Sequence, residues 1–344
     1  MKYFFLGLLL IVLSCKEDKK KSQEQLNLEG NQVFDDSKYV LDAFYSEGDV
    51  RRYGIFPDSA FSKIHPYTNK TKIETVLNIA DKHKVELSFP KGYYDFSLII
   101  NGKRNISITF NEASFGGAVQ IINNDSIKSE NIEFKGEVSS YDSFFSRESK
   151  NIVIGNLKIL SNPLKSIFKT RAKGCQIYAG TKNIKIIDLF IEDLGSDNEA
   201  FKYKSAALCI EGWNNNPVNV QINKVHIKST DRHGIYITGT DHLIGDVIID
   251  RFGMGTSTDM APMQDAQAGE EKEFKALWIN KCYNSFIENI TINEQDSKGK
   301  YTAHFDYGDK LRPFTIGNFK VINDNPKINI LEEEPNGVVI EIKD

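Results

Sequence analysis

The sequence has little cysteine, little net charge and one short apolar run at its start. It contains four cysteines in 344 residues and has a formal net charge of -4. So small a charge argues against the basic stripe of a nucleic-acid-binding protein, and we expect no nucleic-acid partner. The apolar run, from Tyr3 to Leu13, is too short for a membrane-spanning helix. Because it follows Met1 and Lys2 directly, it predicts an export signal.

A cysteine ends this signal. The residues Val12-Leu13-Ser14-Cys15 resemble a bacterial lipobox, which implies a lipid anchor on Cys15. The charged residues that follow resemble the surface-export signals of Bacteroidota lipoproteins. We therefore expect a signal peptide over residues 1–15, a flexible tether over 16–38, and a protein anchored in the outer membrane at the cell surface or in the periplasm. The alternative is a cleaved signal with Cys15 lost.

The other cysteines are Cys175, Cys209 and Cys282. An odd number predicts no disulfide framework, and we expect small buried or half-buried side chains without a catalytic role.

A repeating unit dominates the rest of the chain. An asparagine followed by an apolar, often β-branched run recurs at irregular spacing, at Asn105, Asn131, Asn151, Asn183, Asn219 and Asn289. This pattern predicts a parallel β-solenoid with insertions, in which the amides stack along a recurring turn.

A helix is predicted just before the repeats. Residues 71–83 have helical apolar spacing, with Thr71 and Glu74 as a capping box. Such a helix would cover the open end of the first coil. Residues 85–94 resemble the entry strand of pectate-lyase-like β-helices. The expected fold is all-β: a single-stranded right-handed parallel β-helix over residues 39–344, with an N-terminal cap over 39–84, as a monomer.

The stretch from Lys204 to Gly239 contains two successive coils. Residues 207–212 and 234–239 alternate with period two, which places Leu208 and Ile235 in the core. Lys204 precedes one run, and Arg232 with His233 precedes the next. As neighbouring strands lie about 4.8 Å apart, these cations should gather at one edge of the sheet. Long insertions at 192–203 and 253–275 enter at the same edge, which is how solenoids build a binding cleft.

Aromatic residues should line that cleft. The outward column is predicted to be Cys209, Tyr236, Trp278 and Asp306, with Glu211, Thr238 and Asn280 beside it and His304 near the basic edge. Tyr236 and Trp278 are suited to stacking on sugar rings, although ordinary packing is the alternative. Trp213 is expected to pack under a loop. The predicted substrate contacts are Glu211, Tyr236, Trp278, His304 and Asp306.

The basic residues suit one reaction. Elimination across C4 and C5 of a uronic acid requires neutralisation of its carboxylate, a base for the C5 proton and an acid for the departing oxygen. Lysine, arginine, histidine and tyrosine can fill these roles, and a solvated rim is the alternative for the three cations.

Lys204-Ser205 and Arg232-His233-Gly234 resemble motifs of the alginate lyase and chondroitinase B group of parallel β-helix lyases. The resemblance implies Lys204 as base, Arg232 as acid and a calcium ion that helps to neutralise the carboxylate. The two motifs stand further apart than in that group, and its acidic metal-binding segment is represented by Asp193, Asp197 and Glu199. The residues themselves define no metal site. The implied substrate is an anionic algal glycan such as ulvan or alginate, with cleavage by a lyase or loss of water by an oligosaccharide dehydratase.

Two other functions stay open. A glycoside hydrolase needs two carboxylates about 5 to 9 Å apart, and the candidates are Glu211 with Asp241 or Asp231 with Asp306. The outward strand face has no Asp-Asp or Asp-x-Asp run, so hydrolysis ranks second. A non-catalytic glycan-binding lipoprotein would keep Tyr236 and Trp278 without needing the cations.

Overall fold

The computed structural model describes residues 34–60, 63–124, 126–195, 206–255, 274–322 and 329–344. The chain divides into two units, Met1–Tyr39 and Val40–Asp344. The described part of the first contains a 3-10 helix at Ser37–Tyr39. The predicted signal peptide, Cys15 and Lys204 lie outside the described residues. Within the described ranges, no helix combines the length and apolar character needed to cross a membrane.

The second unit is built almost entirely of strands. It begins with a 3-10 helix, Val50–Tyr53, and an α-helix, α1, Lys72–His83. The strands that follow in the described residues are β1 Leu87–Phe89, β2 Gly92–Tyr94, β3 Leu98–Asn101, β4 Arg104–Phe115, β5 Val119–Ile122, β6 Glu130–Ser140, β7 Ser143–Arg147, β8 Lys150–Ile159, β9 Gly174–Ile177, β10 Lys182–Ile191, β11 Ala206–Ile210, β12 Val218–Ile227, β13 His233–Thr240, β14 Leu243–Ile249, β15 Lys275–Tyr283, β16 Ser285–Asn293, β17 Tyr301–Phe305, β18 Phe314–Ile322, β19 Ile330–Glu332 and β20 Val338–Lys343.

Each strand pairs mainly with the strand two places along the chain, and the pairs are parallel. Two stacks result. The odd stack contains the odd-numbered strands from β3 to β19, and the even stack contains the even-numbered strands from β4 to β20. Each coil adds one strand to each stack, so the chain winds around a common core. The predicted all-β parallel β-helix is confirmed.

The core consists of columns of apolar side chains, one from each coil. In the odd stack one column contains Leu98, Val119, Phe144, Cys175, Leu208, Ile235, Leu277 and Ala303. All eight are fully buried. Because strand side chains alternate between faces, the residues between them point outward. Cys175, Cys209 and Cys282 are buried, as predicted.

An asparagine ladder runs along one turn of the coils. Asn105, Asn131, Asn151, Asn183 and Asn219 all have left-handed φ, from 54° to 57°. Each amide nitrogen after the first donates to the oxygen of the asparagine one coil earlier, at 2.8 to 3.0 Å. Asparagine tolerates this backbone better than most residues. The predicted stacking of amides is thereby confirmed for these five positions.

Asn289 does not belong to this ladder. It pairs with Asp246 in the preceding coil and donates to that carboxylate at 2.8 Å. The left-handed turn positions of these later coils are Asp241 and Asn284. The sequence interpretation failed because Asn289 also precedes a β-branched run, Ile-Thr-Ile.

The helix α1 forms as predicted and packs against β4. The Thr71 hydroxyl accepts a hydrogen bond from the Glu74 N–H at 3.1 Å, which is one half of a capping box. Val76, Leu77 and Ile79 are buried. Polar contacts tie the helix to the first long strand: Lys103 Nζ donates to Asn78 at 2.7 Å, and the Arg104 N–H donates to Asp81.

Candidate functional site

A column of rings occupies the outward face of the odd stack. The strand register places Cys209, Tyr236, Trp278 and His304 next to one another on β11, β13, β15 and β17. The prediction was right for the first three. It was wrong in assigning Asp306 to the column, because Leu277 pairs with Ala303 and this brings His304 opposite Trp278. Asp306 lies two residues further along the same strand direction.

These rings pack against one another. The centroids of Tyr236 and Trp278 are 4.6 Å apart, and those of Trp278 and His304 are 5.3 Å apart with nearly parallel planes. Tyr236 and His304 are buried, at 8% and 7% exposure, and Trp278 is half-buried between them. Such aromatic contacts stabilise the folded protein by more than the apolar area that they bury. The ring column is therefore a packed set of rings, in which Trp278 is the most exposed.

Polar side chains hold the rings in place. Asn280 Nδ2 donates to the Tyr236 hydroxyl at 3.2 Å, and Trp278 Nε1 donates to Asp306 Oδ2 at 3.3 Å. One strand away, Cys209 Sγ donates to Glu211 at 3.7 Å. All five predicted substrate-contact residues thus lie on one face, where carboxylate, amide and phenol groups accompany the aromatic rings.

His233 joins the column from the start of β13. Its ring lies 5.1 Å from the Trp278 ring and 5.3 Å from the Phe274 ring, centroid to centroid. The Lys275 backbone N–H donates to Nδ1 at 3.0 Å. Burial, reinforced by the charges of Lys275 and Arg232, holds the pKa of His233 well below its usual value. The imidazole is therefore neutral near pH 7, with its proton on Nε2.

Arg232 is buried beside His233. Its side chain is 1% exposed, and it is the largest fully buried side chain among the described residues. Burial lowers its pKa to about 10. A solvated rim therefore describes neither Arg232 nor His233. Lys204 lies outside the described residues, although Ala206, two residues later in the sequence, pairs with His233.

The glycine after these two residues has a packing reason. A Cβ at Gly234 would lie 2.5 Å from the carbonyl oxygen of Ala276 on the neighbouring strand. Any larger residue would push β13 and β15 apart. The Arg-His-Gly order thus serves the backbone as well as the site.

Lys275 is a site residue that the sequence interpretation missed. Its ammonium lies 4.7 Å from the centroid of the Trp278 ring and 6.0 Å from that of Tyr301. It is buried at 8% exposure. The signal was present: Lys275 directly precedes the apolar run at 276–279, just as Arg232 and His233 precede theirs. A further cation at the same edge was therefore predictable.

The carboxylates proposed for hydrolysis are occupied or separated. Arg171 Nη1 contacts Asp231 at 2.8 Å, and its Nη2 contacts Asp193 at 2.6 Å. Burial opposes the Arg171 charge, but these hydrogen bonds raise its pKa above the usual value. Asp241 is exposed at the turn between β13 and β14, and Glu211 directly follows β11. Because Ile210 pairs with Ile237, Asp241 lies three residues beyond the position level with Glu211. The ion pair with Arg171 counts against Asp231 as a free catalytic carboxylate.

The same clamp bears on the calcium implied by the sequence resemblance. Asp193 is committed to Arg171, a cation that would repel a metal ion. Asp197 and Glu199 lie outside the described residues. In the part of the chain that the structure describes, no group of three metal-ligating side chains comes together. The described residues do not fit a calcium site.

Trp213 differs from its prediction. Its side chain is 67% exposed and does not pack under a loop. It occupies a left-handed backbone position, with φ of 55°, after Gly212. Its indole is exposed to solvent a few residues after the end of β11.

Comparison of the chain with protein-family models, with curated proteins and with solved structures found no match.

Proposed function

We propose that this protein is an exported carbohydrate-active enzyme that performs β-elimination on uronic-acid-containing polysaccharides or oligosaccharides. The observation that carries this proposal is the column of rings formed by Tyr236, Trp278 and His304, with His233 beside it. Sugar rings bind on aromatic faces, and a uronate adds a carboxylate that needs positive charge nearby. The buried charges of Arg232 and Lys275 provide that charge in a poorly solvated setting.

The reaction moves one proton off C5 and expels the oxygen at C4, and a C4–C5 double bond forms. We assign the base to Lys204, as the resemblance to the alginate lyase and chondroitinase B group suggests. His233 carries its proton on Nε2, since Nδ1 accepts from a backbone N–H. It is suited to donate a hydrogen bond to the substrate carboxylate or to the departing oxygen.

Arg232 and Tyr236 are the other two residues to which we assign roles in the elimination. Tyr236 Oη accepts from Asn280, and its phenol can give a proton to the leaving oxygen. The resemblance suggests Arg232 as the acid, and its pKa of about 10 brings the guanidinium closer to proton transfer. Because Arg232 is buried, we assign it first to charge stabilisation of the carboxylate.

The deciding experiment measures the unsaturated uronate product. The purified protein is incubated with alginate, ulvan and a neutral glycan, and products are followed by ultraviolet absorbance and mass spectrometry. We expect unsaturated products from a uronate glycan and none from the neutral one. If the product is a terminal unsaturated sugar without chain cleavage, the enzyme is a dehydratase.

Variants assign the roles. Tyr236→Phe should lower turnover about 100-fold or more, because it removes a proton-transfer group while keeping the ring. Tyr94→Phe removes a hydroxyl that donates to Pro90 in the first coils and should leave turnover unchanged. Lys204→Ala should abolish turnover. Saturated products would instead establish hydrolysis, and glycan binding without products would establish a binding protein.

We also propose that the protein is held at the outer membrane by a lipid on Cys15. Metabolic labelling with a palmitate analogue should mark the wild type and not Cys15→Ser. Equal labelling of both proteins would contradict the anchor.

A further inference from the structure

A second candidate site lies on the same face, several coils before the ring column. An open pocket with a volume of about 490 Å³ lies over β3, β5 and β7. Its floor includes Ile99, Gln120 and Phe145, which pair in register across these three strands. Phe145 pairs with Gln176, and Gln176 pairs with Cys209. The pocket and the ring column therefore belong to one continuous outward row of the odd stack.

The walls of the pocket combine aromatic and charged groups. Phe168 is 51% exposed at its edge, and the Phe145 ring stacks on Tyr178 at 6.0 Å between centroids. Lys173 Nζ lies 4.6 Å from the centroid of Phe168 and pairs with Asp142 at 2.6 Å. The ion pair is nearly buried, so it fixes the inner wall of the pocket.

Arg147 provides an available positive charge. It ends β7, lines the pocket and is exposed. Among the described residues it makes no ion pair. Exposed arginines bind carboxylates through two parallel N–H donors, which gives both affinity and orientation. Gln120 lines the same pocket with an amide that can donate to and accept from hydroxyl groups.

We propose that this pocket binds an acidic sugar residue. The pyranose ring lies against Phe145 and Phe168, its carboxylate pairs with Arg147, and its hydroxyls meet Gln120. The volume falls within the range of small-molecule sites, and a mixture of aromatic and a few polar groups is the usual lining. The choice of a sugar acid rests on the proposed function, whereas the pocket itself does not.

The position of the pocket gives it a distinct role. Three strand spacings of about 4.8 Å separate Phe145 from Tyr236, or roughly 14 Å along the row. A sugar held here does not touch the residues proposed for elimination. The pocket therefore anchors a remote unit of an extended chain and favours long substrates over short ones.

The test uses sodium glucuronate and glucose with the full protein, and binding is measured by ligand-observed NMR titration. We expect glucuronate to bind more tightly than glucose. Arg147→Gln should weaken glucuronate binding about tenfold and leave glucose binding unchanged. Phe168→Ala should weaken both. Both side chains are exposed, so the variants should fold, and circular dichroism checks that they do.

The matched control is Arg104→Gln, which removes an exposed arginine on β4 outside the pocket lining. It should bind glucuronate as the wild type does. Absence of glucuronate binding, or equal binding by the wild type and Arg147→Gln, would overturn the proposal. If unsaturated products form but glucuronate does not bind in this way, the pocket proposal fails and the proposed function stands. If glucuronate binds here but no products form, the proposed function fails and the pocket proposal stands.

Discussion

The outward residues of the two stacks look equivalent in the sequence but differ in the structure. On the even stack Val153 and Leu243 point outward and are 43% and 44% exposed. On the odd stack Tyr236 and His304 point outward in the same way and are 8% and 7% exposed. Strand alternation is the same in both, so it cannot explain the difference. Large rings one strand spacing apart cover one another, and this makes an outward face into a second packed layer.

This contrast separates a face of exposed side chains from a face of packed rings and buried cations. The even stack has asparagine amides in a ladder and scattered ion pairs between exposed side chains. Exposed ion pairs contribute little to stability. The odd stack has buried cations and rings in contact, which are costly to arrange without a use. Substitutions on the two faces should therefore have different effects.

The largest difference should come from Arg232 and Lys185. Arg232→Ala leaves a void at a fully buried site and should lower the free energy of unfolding by roughly 3 to 5 kcal/mol. Lys185→Ala, at an exposed outward position of the even stack, should change it by less than about 0.5 kcal/mol. Urea denaturation measures both. Arg232→Met keeps more of the volume and should lose less than Arg232→Ala; an Arg232→Ala midpoint as mild as that of Lys185→Ala would contradict the contrast.

The stability of the folded protein should depend on pH through His242, which lies between β13 of the odd stack and β14 of the even stack. His242 is 2% exposed; it accepts from the Val220 N–H through Nδ1 and bonds the Thr238 carbonyl through Nε2. Burial lowers its pKa to about 4, partly opposed by the Thr238 hydrogen bond and the Asp241 charge. The unfolded chain, with a pKa near 6.5, then binds more protons than the folded chain between about pH 6.5 and 4. Stability is full above pH 6.5 and decreases as the pH falls through this window.

As the pH falls, His242 should lower the free energy of unfolding by about 3 kcal/mol. Buried His233 should lower it further, for the same reason. Denaturant midpoints measured from pH 7.5 to 4.5 test it. His242→Gln should be less stable at pH 7.5 and should have a shallower pH slope. An identical slope in the variant would exclude His242 as a source.

The ring column should contribute less than Arg232. Trp278→Ala removes three ring contacts and should lower the free energy of unfolding by roughly 2 kcal/mol. Leu243→Ala, exposed on the even stack, should cost well under 1 kcal/mol. Trp278→Phe keeps a ring and should fall between them. Equal losses at Trp278 and Leu243 would mean that the column is no more packed than the opposite face.

The smallest effect should come from the ladder. Asn183→Ala loses amide bonds in an exposed row and places a Cβ residue at φ of 56°, for a loss of about 1 kcal/mol. Asn183→Gly loses the same bonds but accepts this backbone more readily, so it should be the milder variant. Thermal denaturation of the pair separates the two contributions. A glycine variant less stable than the alanine variant would show that backbone preference is not the controlling factor.

The fold was largely predictable because its signals are local. The alternation of apolar residues predicted which side chains point inward. Asparagine before a β-branched run predicted the turns, and this prediction was wrong only for Asn289 among the six positions. The capping pair Thr71 and Glu74 gave the helix. Each of these depends on backbone preferences within a few residues, and these are readable from the chain.

The site was less predictable because it depends on neighbours far apart in sequence. The register between β15 and β17, which brings His304 rather than Asp306 to Trp278, depends on residues 294–300, which form no strand or helix. The clamp of Arg171 on Asp231 joins loops of different coils. The pocket around Phe145 and Arg147 likewise has no motif, because its lining comes from several coils and the segment before β9.

The asparagine ladder also has a consequence for how this protein could change over time. Since the ladder bonds join each amide to its counterparts one turn away, a whole turn can be added or lost if the duplicated unit brings its own asparagine and its own apolar pair. The row of outward residues would lengthen by one position with each such event. Duplication of a segment would thus lengthen this outward surface, while the residues at either end of the row keep their local surroundings.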